Sequence, residues 1–372
     1  MTPEFGDIKY WIALSNIKDI GPVTSKKLLS ALHCPENIFK ADFNTLKNIE
    51  GIGEFRAHRI KDFNDWDATE KEAAAIRRHG VRIITYADLE YPVNLRQIED
   101  APVFLYVKGS IEDTDRYAVA MVGSREMTDY GRAIAGKIAG ELASCGITII
   151  SGMARGIDAM SHLSALSAGG RSIAVLGCGI ERPYPYENKG LYAKLINAGC
   201  VISEFPIGTP PLKENFPKRN RLISGLSLGV IVIEAALKSG SLITANCALE
   251  QGRDVFAVPG SVTSKGSEGT NWLIKKGAKL VQKTEDIIEE LSPQLKGILN
   301  ESSSKPMLPP QPLLEITDEE KAICNILGQE PVHIDIIARK TGVSAGKLSA
   351  LLSGLEIKGV IRQAEGKRFF II

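Results

Sequence analysis

Short apolar runs alternate with longer amphipathic segments over residues 68–291, and this alternation is the dominant pattern of the chain. Most of the longer segments have the periodicity of helices. Runs such as Val230–Ile233 are apolar on both faces, as strands are when helices cover both sides of a sheet. The pattern therefore predicts an α/β domain built on a doubly wound parallel sheet. The predicted strands are Arg82–Tyr86, Val103–Val107, Tyr117–Val122, Ile147–Ile150, Ser172–Leu176, Val201–Glu204, Val230–Glu234, Asp254–Val258 and Lys279–Val281.

Residues 1–67 predict a separate helical module. The stretch Gly51–Ile60 opens with two glycines around Ile52, a tight turn that leads into a helix. Ile20–Leu28 is a looser copy, with Asp19 in the place of the first glycine. Together the copies resemble a tandem helix-hairpin-helix (SAM-like) module. Such hairpins can hold a nucleic-acid phosphate on backbone N–H groups or serve only in packing, and the sequence leaves both interpretations open.

Prolines and serines are concentrated after Ser292, and they predict a flexible linker over 292–314. Residues 315–372 then show the order helix, helix, turn, helix and hairpin, which is typical of a winged helix-turn-helix domain. From Arg339 onward this domain has seven lysines and arginines against two glutamates. Its third helix has only Lys347 as a charged side chain in the first two turns, so nucleic-acid contact and protein contact both remain possible.

Composition excludes several classes of protein. Lys+Arg 45 against Asp+Glu 44 leaves a formal charge of +1, so any anion binding must be local. The six cysteines form no C-x-x-C pair, which predicts neither a disulfide framework nor a metal site and favours a reducing cytoplasm. No uncharged apolar run is long enough to span a membrane. The chain also lacks a P-loop, and Arg182 stands where a dinucleotide fingerprint after Gly177 needs its third glycine, so no cofactor is predicted.

Candidate chemistry lies where the predicted strands end, because ligands of doubly wound sheets bind at the carboxyl ends of strands. Gly123-Ser124-Arg125 and Ser151-Gly152 follow two of these strands. Glycines there let a backbone approach a ligand, and the N–H groups that follow face an anion. Lys213–Arg221 adds four cations around Phe216. Cations that neutralise phosphates and a ring that stacks on a base are the chemistry of single-strand binding.

The sequence thus predicts a groove for single-stranded nucleic acid. Its candidate residues are Gly123, Ser124, Arg125, Ser151, Gly152, Lys213, Phe216, Lys218, Arg219, Asn220 and Arg221.

Five segments in order resemble the DNA-processing protein A family (DprA, also called Smf). They are Tyr91-Pro92, Pro102–Gly109, Gly123–Arg125, Ser151–Asp158 and Phe216–Arg221. The resemblance implies an extended Rossmann-like domain in a cytoplasmic bacterial protein that is not an enzyme. It implies a homodimer that binds single-stranded DNA and loads RecA recombinase onto it during natural transformation.

In that family the DNA pocket uses the Gly-Ser-Arg turn and a Lys-x-x-Phe element. These elements fall here on Gly123, Ser124, Arg125, Lys213 and Phe216. The resemblance thus implies the same two segments that the residue types indicate.

Two alternatives remain. The glycine-rich turns are similar to those of nucleoside-monophosphate phosphoribohydrolases of the LOG (lonely guy) type, whose P-G-G-x-G-T-x-x-E loop supplies a catalytic glutamate. Here Thr244 stands in place of that glutamate, which removes the carboxylate that the hydrolysis needs. The other alternative is a winged-helix transcription regulator with a nucleotide effector on the sheet, which tight sequence-selective duplex binding by residues 315–372 would favour.

Overall fold

The computed structural model of the chain describes residues 5–302, 317–327, 332–357, 360–364 and 366–371. It contains two compact units, Met1–Pro306 and Met307–Ile372. Among the described residues, no helix is both long and apolar enough to cross a membrane.

Six helices form the N-terminal part of the first unit. Leu14, Leu28, Leu46 and Ile60 are fully or almost fully buried in its core. The predicted boundary after residue 67 falls inside the sixth helix, whose Ala73 and Ile76 pack into the core of the sheet. This part therefore packs directly on the sheet domain, because its last amphipathic helix is shared. The helices are α1 Phe5–Asn16, α2 Pro22–Leu32, α3 Pro35–Lys40, α4 Phe43–Asn48, α5 Gly53–Lys61 and α6 Trp66–Arg78. The predicted helix-hairpin-helix arrangement is confirmed, since α2 and α5 each begin at a glycine turn.

Nine strands form one sheet in the order β1-β2-β6-β5-β4-β3-β7-β8-β9. All nine predicted strands are present. They are β1 Arg82–Thr85, β2 Phe104–Gly109, β3 Ala118–Val122, β4 Thr148–Ser151, β5 Ser172–Leu176, β6 Gly199–Ser203, β7 Gly229–Val232, β8 Asp254–Ala257 and β9 Lys279–Leu280. The helices between them are α7 Val93–Arg96, α8 Asp129–Ser144, α9 Ile157–Ser167, α10 Lys189–Asn197, α11 Asn215–Gly225, α12 Gly240–Glu250 and α13 Glu268–Lys275.

Along the strand order the sheet is parallel from β6 to β9, and its antiparallel pairs are β1–β2 and β2–β6. The chain fills the sheet from β3 outward through β4, β5 and β6, and then returns to the other side of β3 with β7. This reversal is the topological switch point of a Rossmann-like sheet, where a crevice opens beyond the carboxyl ends of the strands. The Rossmann-like prediction is confirmed, with an antiparallel edge that extends it.

The first unit ends in α14 Thr284–Ser302, which continues through Pro293. The predicted linker is therefore wrong for residues 292–302. Pro293 has no N–H to donate to the carbonyl of Glu289, and the hydroxyl of Ser292 donates to that oxygen instead at 2.8 Å. Leu291 and Leu295 are buried against the sheet on either side of the proline. The rest of the predicted linker, 303–314, lies outside the described residues.

The second unit has the helices α15 Asp318–Cys324, α16 Ile334–Thr341 and α17 Ala345–Ile357. Its strands are β10 Val332–His333, β11 Ile361–Ala364 and β12 Arg368–Ile371, in the antiparallel order β10-β12-β11. Leu348, Leu352, Leu355 and Phe369 form its core. The predicted winged helix is confirmed. The sequence did not predict β10, since a strand of two residues has no periodicity to detect.

Candidate nucleic-acid groove

Two adjacent hollows open at the carboxyl ends of the central strands. The first hollow, of about 690 Å³, lies between the Gly-Ser-Arg turn after β3, the start of α11 and the start of α12. The second hollow, of about 430 Å³, lies beyond the ends of β4 and β5, and residues 184–187 form its outer wall. The side chains of Phe216 and Arg125 line both hollows, so the two form one continuous groove.

Phe216 and Arg125 form a pair at the centre of this groove. Phe216 lies in the first turn of α11 and is half-buried, whereas Arg125 is exposed. The guanidinium carbon of Arg125 lies 5.5 Å from the centre of the Phe216 ring, within the range of a cation–π contact. Among the described residues Arg125 has no carboxylate partner, which leaves its planar donors available to a phosphate.

The first hollow is electropositive. The exposed side chains of Lys213 and Lys238 line it together with Arg125. Helix α12 begins at the same hollow, and its N-cap Ser239 accepts a hydrogen bond from the Ser241 amide at 3.3 Å. The positive end of the helix dipole adds to the three cations, so the hollow has the chemistry of an anion site.

Arg219, which the sequence predicts as a DNA contact, does not point into solvent. It is 5% exposed, and it donates to the carbonyl of Gly152 at 2.9 Å and to that of Val175. Burial lowers the pKa of its guanidinium to about 10, against the opposing charge of Asp158. Its guanidinium carbon lies 5.9 Å from the ring centre of Phe216. Arg219 therefore fastens α11 to the ends of β4 and β5 and supports the ring from below.

Gly152 lines the second hollow and also belongs to this framework. A Cβ at this position would collide with the guanidinium of Arg219. Its N–H donates to the buried Asp158 carboxylate at 3.2 Å, and the Ala154 N–H lies 3.4 Å from the same oxygen. Burial raises the pKa of Asp158, and the charge of Arg219 opposes that shift. The loop after β4 is thus held by the buried carboxyl group of Asp158 and the buried guanidinium of Arg219.

Two more predicted residues hold the groove in shape. The Ser124 hydroxyl accepts from the Glu126 N–H at 3.1 Å and donates to the Glu126 carbonyl at 2.9 Å, which closes the turn that presents Arg125. Gly123 lets α9 approach, because a Cβ there would lie 2.7 Å from Ile157 Cγ1. Both residues line the first hollow.

Asn220 is buried and lines the same hollow. Its side-chain amide donates to the Gly240 carbonyl at 3.2 Å, so it joins α11 to the first turn of α12.

Three predicted residues lie outside both linings. Ser151 is fully buried and donates to the Met121 carbonyl at 2.6 Å. Arg221 pairs with Glu204 and, at 3.1 Å, with Asp100. Lys218 is exposed but does not line either hollow. Arg221 and Lys218 lie outside the linings because positions 218 and 221 of α11 face away from the side of the helix that carries 216, 219 and 220.

The aromatic wall of the second hollow is not among the residues that the sequence predicts for the site. Tyr184 is 40% exposed, and its ring centre lies 5.8 Å from that of Phe216 with an angle of 31° between the planes. Tyr186 is 73% exposed, and Arg155 lines the same hollow. The available signal was two tyrosines in the loop after the Gly177 turn, at the same edge of the sheet as the other candidates. Lys238, just before α12, was also missed.

Comparison with known proteins agrees with this geometry. The family model for DNA recombination-mediator protein A matches residues 82–292, the DprA winged helix domain matches 306–367, and a SAM-like helix-hairpin-helix tandem matches 12–63. Protein Smf of Escherichia coli is 43% identical over 282 residues, which is 75% of each chain. Protein Smf of Synechocystis is 34% identical and covers 97% of this chain and 98% of its own.

Solved structures agree with the sequence relatives. The structure of DNA processing protein A from Streptococcus pneumoniae is 36% identical with a TM-score of 0.63 and covers 78% of this chain and 99% of its own. The protein from Helicobacter pylori, solved for its single-stranded DNA binding mode, is 30% identical with a TM-score of 0.52 and covers 58% and 98%. The chain therefore belongs to the DNA-processing protein A (DprA/Smf) family of DNA recombination mediators.

Proposed function

We propose that the groove binds single-stranded DNA, and that the chain uses it to load RecA recombinase onto incoming DNA in natural transformation. The observation that carries this proposal is the half-buried Phe216 ring beneath the guanidinium of Arg125, which has no carboxylate partner in the part of the chain that the structure describes, between two hollows of different character. The single-stranded DNA binding of the Helicobacter pylori relative supports the same reading.

Each hollow suits one part of a nucleotide. The first hollow suits phosphate, because Arg125, Lys213, Lys238 and the N-terminus of α12 converge on it. Phe216 offers a flat face at the border of the second hollow, and Tyr184 extends it. Only unpaired bases have free faces for such stacking, so we expect single strands to bind in preference to duplex and without sequence readout.

The experiment is an anisotropy titration of a labelled single-stranded oligonucleotide with three variants. Lys213→Ala removes one phosphate contact, so it should weaken binding and reduce the log–log salt slope by about 0.7. Phe216→Ala should weaken binding by about 5-fold to 150-fold and leave the slope unchanged, because stacking releases no counterions. Lys218→Ala is the matched control, since it removes an exposed lysine near the groove that lines neither hollow. Equal effects of Lys213→Ala and Lys218→Ala on affinity and salt slope would refute the proposal that the strand binds in the groove.

We propose that the chain is a mediator rather than a hydrolase. The carboxylate that lines the first hollow is Asp158, which already accepts two backbone amides. Thr244 is 2% exposed at the position where the phosphoribohydrolases have their glutamate. We therefore expect no base release from AMP or GMP, measured by chromatography. Detectable release that Asp158→Asn abolishes would favour the enzyme instead.

The RecA step and the assembly state belong to the same proposal. We expect the chain to promote RecA filament formation on single strands coated with single-strand-binding protein, and Phe216→Ala to lose this effect in proportion to its DNA affinity. We propose a cytoplasmic homodimer formed through the sheet domain. Trp272 and Leu280, both about 40% exposed at the edge near β9, support such an interface. The six free cysteines fit a reducing compartment. Light scattering of the full chain tests the dimer.

The regulator alternative has less support. In the second unit, Lys347 of α17 pairs with Glu319 at 2.6 Å, so the lysine available for reading bases is already engaged. Tight, sequence-selective binding of duplex DNA by the full chain would reverse this preference.

A further inference from the structure

Tyr186 is the most exposed aromatic side chain along the groove. It is 73% exposed and lines the outer wall of the second hollow. Large aromatic side chains usually bury most of their surface, so an exposed ring at the mouth of a binding site indicates a contact surface.

The loop that carries Tyr186 is held at two points. The Asn188 side-chain amide donates to the Met153 carbonyl at 2.9 Å. The neighbouring Glu187 carboxylate pairs with Arg155. Both partners belong to the loop after β4, which the buried Asp158 shapes from below. Because the two residues that follow it are anchored to that loop, the tyrosine can contact a ligand at a small cost in conformational entropy.

A cation accompanies the ring. Lys189 Nζ lies 5.8 Å from the ring centre of Tyr186, and Lys189 is itself exposed. This repeats the pairing of Arg125 with Phe216 at the centre of the groove. Tyr184 lines the second hollow as well, with its ring centre 5.8 Å from that of Phe216. Three aromatic side chains, Phe216, Tyr184 and Tyr186, therefore line the same hollow.

We propose that Tyr186 and Lys189 form a second stacking position for the DNA strand. The unpaired base next to the one held at Phe216 stacks on Tyr186, and its phosphate contacts Lys189. The inference rests on the proposed function, and it extends the strand's path from the first hollow past the second and onto the 184–188 loop. The position reads no sequence, since every base has a face to stack.

The test is an anisotropy titration of the full chain with single-stranded oligo-dT of about 2 to about 12 nucleotides. Tyr186→Ala should match the unaltered chain on the shortest strands and bind at least about fivefold more weakly on longer ones. Tyr186→Phe, which keeps the ring, should retain the affinity. Loss of affinity in Tyr186→Phe, or equal affinities for Tyr186→Ala and the unaltered chain at every length, would overturn the inference.

A scan with a single abasic nucleotide locates the contact. In the unaltered chain, removal of one particular base should weaken binding, and in Tyr186→Ala removal of that same base should have no further effect. Additive losses at every position would mean that the ring contacts no base, which would overturn the proposal.

Phe55→Ala is the matched control for an exposed ring with a cation over it. Phe55 is 61% exposed, with the guanidinium carbon of Arg59 5.1 Å from its ring centre, and it lies on α5 outside both hollows. It should bind as the unaltered chain does, and an equal loss there would overturn the assignment. A changed mass of Tyr186→Ala in light scattering with unchanged DNA binding would instead assign the ring to a protein interface. If the unaltered chain bound no single strand, the proposed function itself would have failed.

Discussion

Arg219 provides a strict test of the difference between a residue that contacts DNA and one that builds the site. The perturbation is Arg219→Met, which keeps the length of the side chain and removes its charge and its donors. The variant leaves the Gly152 and Val175 carbonyls without the guanidinium. It also leaves Asp158 buried without the positive charge that opposes the rise of its pKa.

The magnitude follows from these contacts. A hydrogen bond to a charged group contributes about 1.5 to 3 kcal/mol to stability, so the loss of two such bonds should lower the free energy of unfolding by about 3 to 6 kcal/mol. Relief from burying a guanidinium offsets part of that loss, and we expect the free energy of unfolding to fall by about 3 kcal/mol. For a domain of this size the melting temperature should fall by about 6 to 12 °C.

Calorimetry and an anisotropy titration with single-stranded DNA measure the two sides of this prediction. Arg219→Met should melt early and bind more weakly, because Phe216 loses its support, yet keep the salt slope of the unaltered chain. Lys213→Ala should show the reverse, with an unchanged melting temperature and a smaller slope. A variant at 219 with unchanged melting temperature and a smaller slope would refute our reading and make Arg219 a phosphate contact.

Three further perturbations test the framework of the first unit. Gly156→Ala should lower the free energy of unfolding by at least about 2 kcal/mol and weaken DNA binding, because the residue has a φ of 74° and its Cβ would collide with the Ser124 carbonyl. Gly169 has a φ of 73° and open space around it, so Gly169→Ala should lose only the smaller free energy that backbone strain alone costs, measured by urea unfolding. Equal losses of stability in Gly156→Ala and Gly169→Ala would contradict the predicted collision. Burial lowers the pKa of His162 to about 3, so the folded state stays neutral while the unfolded chain gains a proton below pH 6.5. Stability should therefore fall by about 2 kcal/mol between pH 6.5 and 5, and His162→Gln should lack this decline. Burial raises the pKa of Glu204 to about 7, so the folded state holds a proton that the unfolded chain has lost above pH 4.5. The contribution of Glu204 to the free energy of unfolding should decrease by up to about 3 kcal/mol as the pH rises from 4.5 to 7. If Glu204→Gln showed the same dependence of stability on pH as the unaltered chain, it would contradict this role of Glu204.

The strands were predictable because each is a short apolar run between turn residues, and burial on both faces leaves a clear signal. The alternation with helices also predicts the parallel direction of β3 to β9, but the hydrophobic pattern reports burial and carries no information about the antiparallel edge formed by β1 and β2. The end of α14 was also missed. The prolines and serines predict a linker from Ser292 onward, but the Ser292 hydroxyl satisfies the carbonyl that Pro293 leaves free, and Leu295 is buried beyond the proline.

In the site, residue type predicted the side chains that line the groove better than the buried side chains that hold its shape. Arg125, Lys213 and Phe216 lie where their chemistry indicated, at the two hollows. The other cations of the 213–221 segment could not be divided into groove-lining and buried or paired side chains without knowing that these cations lie on α11. Pro217 obscured that helix, although a proline is tolerated in a first helical turn. Once the helix is known, its 3.6-residue period separates Arg219, which faces inward, from Arg221, which faces Glu204.

The balance between charge and stacking in this groove follows from how few cations reach its surface. Arg125, Lys213 and Lys238 line the first hollow, and the chain as a whole has a formal charge of +1. Three neutralised phosphates correspond to a log–log salt slope of about −2 on a single strand, a shallow dependence for a DNA-binding protein. Most of the discrimination must then come from the aromatic wall, which duplex DNA cannot use because its bases are stacked on one another. Raising the salt concentration should therefore weaken binding to single strands only modestly and should increase the preference for them over duplex. On strands long enough to reach the phosphate contact proposed at Lys189 the slope should steepen to about −3, and a slope much steeper than that per protomer would mean that cations outside the groove carry the binding.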